Sequence, residues 1–384
     1  MKLKSLLLSS LLLLSAGTAW ADVEINETNF PDENFRNWLS SQTYGSDGKL
    51  TDEEIAGVTS INVSGTYFSP GTISSLKGID FFTALEDLRC SDNQLNSLNV
   101  SGCTALRELN CSSNQLTSLN VSGCTALTNL YCNNNLLTSL IVNGCVALTN
   151  LQCTNNLLTS LDVTNNTKLT DLYCSTNQLA SLDVTKNIVL EHLYCSENKL
   201  TSLDVSKNTV LTQILCQVNK LTSLDVSQNP KLKHLHCYMN KLTSLDFSNN
   251  PALHDLEFYF NSIFGKNMDA IISSLPIDVE KVTMQVFYDN VNGDKYEGEV
   301  LVDKNIMTTA QVAAAKAKGW TPRYFDGTEW KEYPGVDPAT AIAGVETDEA
   351  SDSAPWFTLG GAQLDNAPTA PGIYIHGGKK VVVK

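Results

Sequence analysis

The chain has 384 residues, with 26 lysines and arginines against 41 aspartates and glutamates, so its formal net charge is −15. A surface with this charge repels phosphate backbones and anionic lipids, which argues against nucleic-acid binding and against simple electrostatic attachment to membranes. The length allows several domains, but a repeated sequence extends one fold instead of dividing it.

Residues 1–21 have the pattern of a secretory signal peptide. Lys2 and Lys4 precede an apolar run from Leu6 to Leu14, and Ala19 to Ala21 reads Ala-Trp-Ala, a typical cleavage pattern. This run and every later one are shorter than the roughly 20 apolar residues that cross a bilayer, so we predict no transmembrane segment. Cleavage would leave 24 basic and 41 acidic residues, a net charge of −17. We therefore expect a secreted protein or one at the outer cell surface.

Residues 22–84 are predicted to close the leading end of the fold with two short helices. Asp32 is placed to cap a helix that carries Phe35 on its apolar face, and Thr51 with Glu54 has the spacing of a capping box for a second helix.

The segment between these helices has the outline of a calcium-binding loop. With Gly48 as the sixth position, Asp47 is the fifth and Glu54 the twelfth, but Thr43 and Gly45 stand where carboxylates are needed. A degenerate helix-loop-helix cap is the favoured interpretation, and calcium binding at Asp47 and Glu54 remains open.

Residues 85–264 repeat with a period of 21 residues and the consensus LxxLxCxxNxLTSLDVSxNxx. Nine copies begin at Leu85 and end with the copy from Leu253. A strict period of this length predicts a solenoid of stacked turns, here nine. Its clearest marker is a column of eight cysteines, Cys90, Cys111, Cys132, Cys153, Cys174, Cys195, Cys216 and Cys237.

Each copy contains two extended edges, which we call the LxxLxC edge and, about ten residues later, the LxV edge. Alternation along each edge points the apolar residues inward, and neighbouring turns are expected to stack as parallel strands roughly 4.8 Å apart. At that spacing, adjacent cysteines have Cβ atoms farther apart than the ~3.8 Å that a disulfide prefers. We therefore predict buried free thiols. The chain has no CxxC pair, which argues against zinc at the cysteines.

Two further ladders are predicted to supply hydrogen bonds at the corners of the turns. One consists of asparagines three residues after each ladder cysteine, from Asn93 to Asn240, and of Asn261 three residues after Phe258 in the last copy. The other begins with Cys103, Cys124 and Cys145 and continues as Asn166, Asn187, Asn208, Asn229 and Asn250.

The outward positions of the LxxLxC edge become rich in tyrosine and histidine in the later copies. This composition is typical of recognition surfaces, although tyrosine is also common in β-strands that bind nothing. The predicted ligand-binding face comprises Tyr131, Tyr173, His192, Tyr194, His234, His236, Tyr238 and Tyr259.

A zinc site is an alternative interpretation of part of this face. His234 and His236 are two residues apart on one predicted strand, and the next strand carries Asp255 and Glu257. Nothing in the sequence forces the four side chains to converge, so a recognition patch is favoured. We predict no resident metal or cofactor.

Residues 265–333 are predicted to form a mixed α/β cap over the last copy. Its elements are a helix from Asn267 to Leu275, a strand from Val282 to Tyr288, an alanine-rich helix from Thr309 to Lys318 and a strand around Arg323 to Phe325.

The end of the chain is divided by composition into a linker and a small β segment. Residues 334–352 are acidic and rich in alanine, threonine and proline, as linkers are. Residues 353–384 contain three predicted strands, at Phe357 to Leu359, Gly372 to Ile375 and Lys380 to Val383.

The repeat resembles the IRREKO class of leucine-rich repeats, which is common in bacterial surface proteins. The flanks FPDENFRNWL, DGKLTDEEI, MDAIISSLP and TTAQVAAAKAKGW are similar to caps of such proteins in Bacteroidota. Gly372, Ile373 and Tyr374, followed by GGKKVVVK, look like a C-terminal sorting domain for type IX secretion, although the segment is shorter than usual. The resemblance implies an α/β leucine-rich-repeat solenoid, secretion through machinery that reads residues 353–384, and a binding role with no catalytic residues.

The residues discriminate between three classes of function. No Ser-His-Asp order, HExxH, phosphate-binding loop or nucleophile elbow is present, and a repeated face does not focus catalytic groups, so we predict that the protein is not an enzyme. Binding of a protein or glycan ligand, of the adhesion or host-interaction type, is favoured over a structural surface coat without a specific ligand.

Overall fold

The structure is a computed structural model that describes residues 22–277, 282–288, 295–296, 299–300, 302–336, 356–358, 363–364, 372–376 and 379–383. The predicted signal peptide lies outside the described residues, and so do residues 337–352 of the predicted linker. The chain forms two compact units. The first runs to Cys237 and includes Asn249–Leu253, and the second contains Tyr238–Ser248 and the chain from His254 onward. Within the described ranges, every helix is too short or too polar to cross a membrane.

The first unit begins with a cap of two short helices and three short strands. These are β1 (Val23–Glu24), α1 (Glu33–Ser41), β2 (Lys49–Leu50), α2 (Asp52–Gly57) and β3 (Ser60–Asn62). The predicted N-terminal capping residues of both helices are confirmed. Asp32 accepts a hydrogen bond from the Phe35 amide at 2.9 Å, and Thr51 and Glu54 form the reciprocal capping box.

Eight turns of the solenoid follow in the first unit, and their strands repeat every 21 residues. The strands are β4 (Asp87–Arg89), β5 (Glu108–Asn110), β6 (Ser118–Asn120), β7 (Asn129–Tyr131), β8 (Ser139–Ile141), β9 (Asn150–Gln152), β10 (Asp171–Tyr173), β11 (His192–Tyr194), β12 (Gln213–Leu215) and β13 (His234–His236). All except β6 and β8 join β3 in one parallel sheet, with equivalent residues of neighbouring turns in register. The predicted solenoid with parallel strands is confirmed, and the ninth copy contributes a strand to the second unit.

The ladder asparagines tie neighbouring turns together through their side-chain amides. Asn156 Nδ2 donates to the Cys153 carbonyl at 3.0 Å and to the Cys132 carbonyl of the preceding turn at 3.1 Å. Its Oδ1 accepts from the Leu137 amide at 3.0 Å. A buried corner thus has its backbone groups paired by one side chain per turn, as predicted.

The second ladder shows how a thiol and an amide fill equivalent positions. Cys145 Sγ donates to the Val121 carbonyl at 3.1 Å, and Asn187 Nδ2 donates to the matching Val163 carbonyl at 3.0 Å. The asparagine makes one bond more, to the Asn166 carbonyl at 2.8 Å. Its own Oδ1 has no hydrogen-bond partner among the residues that the structure describes, and the same holds for Asn166, Asn208, Asn229 and Asn250.

The cysteines of both ladders are buried thiols that form no disulfide within the described residues, as the spacing predicted. They lie among leucines that are also inaccessible to solvent, such as Leu151 and Leu172. Burial raises the pKa of the Cys153 thiol to about 12, so the thiols stay protonated and act as small apolar groups.

The LxV edge differs from its prediction. Within the described part of the first unit, only β6 and β8 form a strand pair on this edge, and the equivalent residues of the other turns are irregular. This pair is continued by bonds from the Thr138 amide to the Thr117 carbonyl at 2.9 Å and from the Val121 amide to the Ile141 carbonyl at 3.0 Å. The period-2 pattern correctly identified the buried leucine and valine of the LxV edge, but burial alone does not establish hydrogen-bonded strands.

Each corner before a ladder asparagine contains one residue with a left-handed backbone. The φ angles lie between 50° and 56°, and none of these residues is glycine. They are Asp92, Ser113, Asn134, Asn155, Thr176, Glu197 and Val218 in the first unit and Met239 and Phe260 in the second.

The second unit is a mixed α/β unit that begins with the strand of the ninth copy. Its elements are β14 (Asp255–Glu257), α3 (Gly265–Ser274), β15 (Val282–Tyr288), β16 (Lys295–Tyr296), β17 (Glu299–Val300), α4 (Thr309–Ala317), β18 (Trp320–Phe325) and β19 (Trp330–Glu332). β14, β15, β18 and β19 form a sheet in that order, with only β19 antiparallel to its neighbour. The buried Trp320 fixes this sheet to the end of α3, because its Nε1 donates to the Pro276 carbonyl at 2.9 Å.

The described strands near the end of the chain form a small antiparallel sheet. They are β20 (Trp356–Thr358), β21 (Gln363–Leu364), β22 (Gly372–His376) and β23 (Lys379–Val383), in the order β21-β20-β22-β23. The three predicted strands correspond to β20, β22 and β23, and β21 was not predicted.

Candidate functional site

The outward face of the LxxLxC edge is built by three-residue strands of one pattern. In β10, for example, the middle residue Leu172 is buried, whereas Asp171 and Tyr173 on either side are partly exposed. Tyr131, His192, Tyr194, His234 and His236 occupy the same kind of position in the first unit. The alternation of the strand therefore presents these side chains on one face, as predicted.

Five side chains on β10, β11 and β12 contact each other and form what we call the Tyr-His cluster: Asp171, Tyr173, His192, Tyr194 and Gln213. The two tyrosine rings meet edge to face, with centroids 4.7 Å apart and an interplanar angle of 88°. His192 Nδ1 lies 2.6 Å from Asp171 Oδ1, and the Tyr173 hydroxyl donates to the same oxygen at 3.3 Å. The Tyr194 hydroxyl donates to Gln213 Oε1. These contacts hold half-exposed side chains in fixed positions.

The tyrosine hydroxyls of this face stay protonated at neutral pH. Burial raises the pKa of Tyr173 to about 12, and the Asp171 charge adds to the effect. Burial and then Asp171 also raise the pKa of Tyr194. For Tyr131, burial followed by the Glu108 carboxylate raises the pKa. The face therefore offers neutral aromatic rings with hydroxyl groups that can donate or accept hydrogen bonds.

The leading end of the same face carries charge instead of aromatic rings. Arg89 lies 3.2 Å from the Asp87 carboxylate and 3.1 Å from the Glu108 carboxylate of the next turn. One guanidinium thus pairs with two partly exposed carboxylates and leaves a net charge of −1. The change from charged to aromatic side chains occurs between β5 and β7.

The two metal sites considered from the sequence, the calcium-like loop and the group around His234 and His236, lie outside the Tyr-His cluster. In the calcium-like loop, Glu54 is engaged in the capping box, and Asp47 accepts from the Lys49 amide at 3.2 Å. His234 and His236 lie on β13 of the first unit, whereas Asp255 and Glu257 are the ends of β14 in the second unit. Metal binding at either position stays a hypothesis.

Tyr238 and Tyr259 belong to the second unit, where they start what we call the aromatic array: Tyr238, Tyr259, Tyr288, Phe325 and Trp330. The rings of Tyr238 and Tyr259 stack with centroids 4.3 Å apart, and those of Tyr288 and Phe325 with centroids 4.8 Å apart. Tyr259 connects the two pairs, at 5.9 Å from Tyr288 and 5.3 Å from Trp330.

Three members of the aromatic array were missed in the sequence. Tyr288, Phe325 and Trp330 lie directly opposite each other in the register of β15, β18 and β19. The predicted strands contained Tyr288 and Phe325, so the sequence indicated that these aromatic residues lie on strands. It did not indicate that the residues lie opposite each other, because the cap has no repeat that fixes the register between strands.

Solved structures of other proteins share the fold of this chain. No protein-family model matches the sequence, and no curated protein matches it. The structure is similar to the functional domain of InlJ from Listeria monocytogenes, which includes a cysteine ladder, with a TM-score of 0.60 and 34% sequence identity. The match covers 70% of this chain and 57% of the InlJ chain, so this chain spans little more than half of that structure.

Two further internalins from the same organism have lower similarity. InlF is 19% identical, with a TM-score of 0.43 and coverage of 70% of this chain and 91% of InlF. InlC2 is 20% identical, with a TM-score of 0.44 and coverage of 60% of this chain and 93% of InlC2. Taken with the 21-residue period and the parallel sheet, the InlJ match defines the fold as a leucine-rich-repeat solenoid.

Proposed function

We propose that this protein is a secreted or cell-surface leucine-rich-repeat protein that binds a protein or glycan ligand, as in adhesion or host interaction, without catalysing a reaction. The observation that carries the proposal is the Tyr-His cluster on β10 to β12. In the first unit, the ligand-binding face is proposed to extend from this cluster to Tyr131 on β7 and to His234 and His236 on β13. In the second unit, Tyr238 and Tyr259 are proposed as ligand-binding residues.

The cluster has the physical properties of a binding hot spot. Tyrosine rings bring a large contact area with few rotatable bonds, so they lose little entropy when a ligand covers them. The edge-to-face contact of Tyr173 with Tyr194 and the hydrogen bonds to Asp171 and Gln213 fix the rings before binding. A preorganised surface avoids part of the ordering cost of association.

The test begins with capture of a ligand from extracellular proteins and glycans on the purified protein. The affinity of the captured ligand is then measured for a Tyr173→Ser, Tyr194→Ser double variant. Because buried aromatic hot spots are worth upwards of ~2 kcal/mol, binding should weaken by ~30-fold or more.

A matched control changes two exposed apolar residues away from the LxxLxC edge. Leu157 and Ile188 are 41% and 57% exposed, and Leu157→Ser with Ile188→Ser should leave the affinity unchanged. Equal affinity of the Tyr173→Ser, Tyr194→Ser variant and the wild type would contradict the proposed face. Failure to capture any ligand would favour the surface-coat alternative.

The proposed location rests on residues 1–21 as an export signal and on residues 353–384 as a sorting segment read by type IX secretion machinery, as in Bacteroidota. The compact order β21-β20-β22-β23 is consistent with a small recognisable segment. Deletion of residues 353–384 should keep the protein inside the producing cell, as measured by fractionation. Unchanged release would contradict the sorting role.

A further inference from the structure

Two aromatic side chains in the first unit project into solvent without any support from the core. Tyr67 is 83% exposed and Phe68 is 94% exposed, whereas no other large apolar side chain whose burial the structure describes exceeds 66%. The two rings meet edge to face, with centroids 5.2 Å apart. We call this pair the aromatic wedge. Folding gains almost nothing from two rings that remain in water.

The wedge is held at the tip of a tight and well-anchored turn. Thr66 and Ser69 exchange backbone hydrogen bonds of 3.0 and 3.1 Å on either side of the two aromatic residues. At the base, the Gly65 amide donates to the Ser91 carbonyl at 2.9 Å, and the Gly71 amide donates to the Asp92 carbonyl at 2.7 Å. The wedge is therefore presented by a fixed base.

The two glycines are required for this base. A Cβ atom on Gly65 would lie 2.2 Å from the Gly71 nitrogen, and one on Gly71 would lie 2.1 Å from Asn93 Oδ1. Both distances are shorter than any van der Waals contact, so only glycine allows the two arms of the turn to approach each other and the first corner of the solenoid.

A pocket of about 270 Å³ lies beside the same turn and shares its base. Trp38, Val63 and Ile73 give it an apolar wall, and Asn34 and Thr72 contribute polar groups at its margin. This volume lies below the usual range for small-molecule sites and suits inserted side chains better. The fold thus places a projecting aromatic pair and a receiving pocket next to each other.

Neither the wedge nor the pocket carries a charge. Residues 60–76 contain no aspartate, glutamate, lysine, arginine or histidine, and none of the residues that line the pocket is charged. In a chain with a net charge of −15, two copies repel each other across most surfaces. An uncharged region that combines a projection with a pocket is where two copies can approach.

We propose that the occupant of this pocket is the aromatic wedge of a second copy of the chain. In a dimer with two-fold symmetry, both copies use the same surface. The wedge of each copy would then enter the pocket of the other copy. Four aromatic side chains bury roughly 150–250 Å² each, about 600–1,000 Å² together. The pocket walls add little further area, so the total stays below about 1,200 Å² and corresponds to a weak, reversible dimer. This inference does not depend on the proposed ligand-binding face.

The test is the molar mass of the purified protein in solution as a function of concentration, by sedimentation equilibrium. A reversible dimer is expected. Replacement of both wedge residues, Tyr67→Ser with Phe68→Ser, should weaken dimerisation by ~30-fold or more, because aromatic anchors are worth upwards of ~2 kcal/mol. The wedge residues make no core contacts, so circular dichroism and the unfolding midpoint should stay unchanged.

A second variant blocks the pocket and tests reciprocity. Thr72→Trp places a ring at the margin of the pocket, and the backbone bond that Thr72 accepts from Asn34 is retained. This variant alone should also be monomeric. A mixture of the two variants keeps one intact wedge and one open pocket, so it should form a heterodimer that is weaker than the wild-type dimer.

The control variant is Leu157→Ser, which removes an exposed apolar residue outside this region and should leave the dimer intact. A wild-type protein that stays monomeric at all concentrations would overturn the proposal and leave the wedge for a different partner, such as a membrane or an unrelated protein. A dimer that survives both the wedge and the pocket variants would also overturn it, because the interface would then lie elsewhere. A mixture of variants that remains fully monomeric would contradict the reciprocal geometry.

Discussion

The left-handed corner at Val218 provides a direct test of the backbone geometry of the solenoid. Val218 has a φ of 56°, a region that costs an L-residue about 1–2 kcal/mol and is least tolerated by β-branched side chains. Asparagine tolerates this region, as the equivalent Asn134 and Asn155 show with φ values of 55° and 56°. Val218→Asn should therefore increase the free energy of unfolding by about 1 kcal/mol, after a small loss of contacts from the half-buried valine.

The measurement is the free energy of unfolding from urea titration of the wild type and the variant under the same conditions. Val218→Gly should also stabilise, but by less, because glycine gains backbone entropy in the unfolded chain worth about 0.5–1 kcal/mol. The matched control is Val146→Asn, since Val146 is 54% exposed and has no left-handed backbone. This change should be nearly neutral. Loss of stability in Val218→Asn, or an equal gain in Val146→Asn, would refute the argument from strain.

Three other predictions follow from the interior of the first unit. Thiol titration of the native protein should find almost none of the 11 cysteines reactive, and most of them should react after denaturation, since all are buried thiols outside disulfides. A count near one after denaturation would mean disulfides. Asn156→Ala should reduce the free energy of unfolding by about 2–4 kcal/mol, because it leaves the buried Leu137 amide without its acceptor and removes two donated bonds; a loss below about 1 kcal/mol would contradict the structural role of the ladder. Asp32 contributes stability that depends on pH: burial opposes its charge, but bonds from the Phe35 and Ser74 amides outweigh burial and lower its pKa from 3.8. The contribution of Asp32 to stability is therefore complete above the ordinary aspartate pKa and is lost as pH falls through the lowered pKa. The difference in free energy of unfolding between wild type and Asp32→Asn should shrink on acidification, as measured by urea titration between roughly pH 6 and pH 3.

The solenoid and its ladders were predictable because each position of the repeat is sampled many times. A cysteine or asparagine that returns every 21 residues reports one structural environment, and the burial of Cys153 and the bonds of Asn156 are those expected from the pattern. The helix caps at Asp32 and Thr51 were predictable for a different reason, since their signals are local in sequence.

The left-handed corner was not predictable, because no residue type marks it. Its occupants include Asp92, Thr176, Val218 and Phe260, and glycine never appears there. The ladder asparagine that follows, as Asn156 shows, bonds to the backbone just before the corner and to the preceding turn. These hydrogen bonds impose the corner and override the local preference of the residue.

The candidate site was predictable in the repeats and only in part beyond them. Alternation along the LxxLxC edge correctly placed Tyr173 and Tyr194 on the outward face, but the contacts of His192 with Asp171 depend on rotamers that no pattern contains. In the second unit, the partnership of Tyr259 with Trp330 depends on strand register that is not repeated in the sequence.

The most direct test of the proposed function is oxidative footprinting of the protein with and without its captured ligand, read by mass spectrometry. Tyr173, His192 and Tyr194 are predicted to be protected by the ligand, because they form the centre of the proposed face. Tyr44 in the N-terminal cap serves as an internal reference and should react equally in both samples. Protection of the Tyr-His cluster would support the account, and unchanged reactivity of all three residues with protection elsewhere would contradict it.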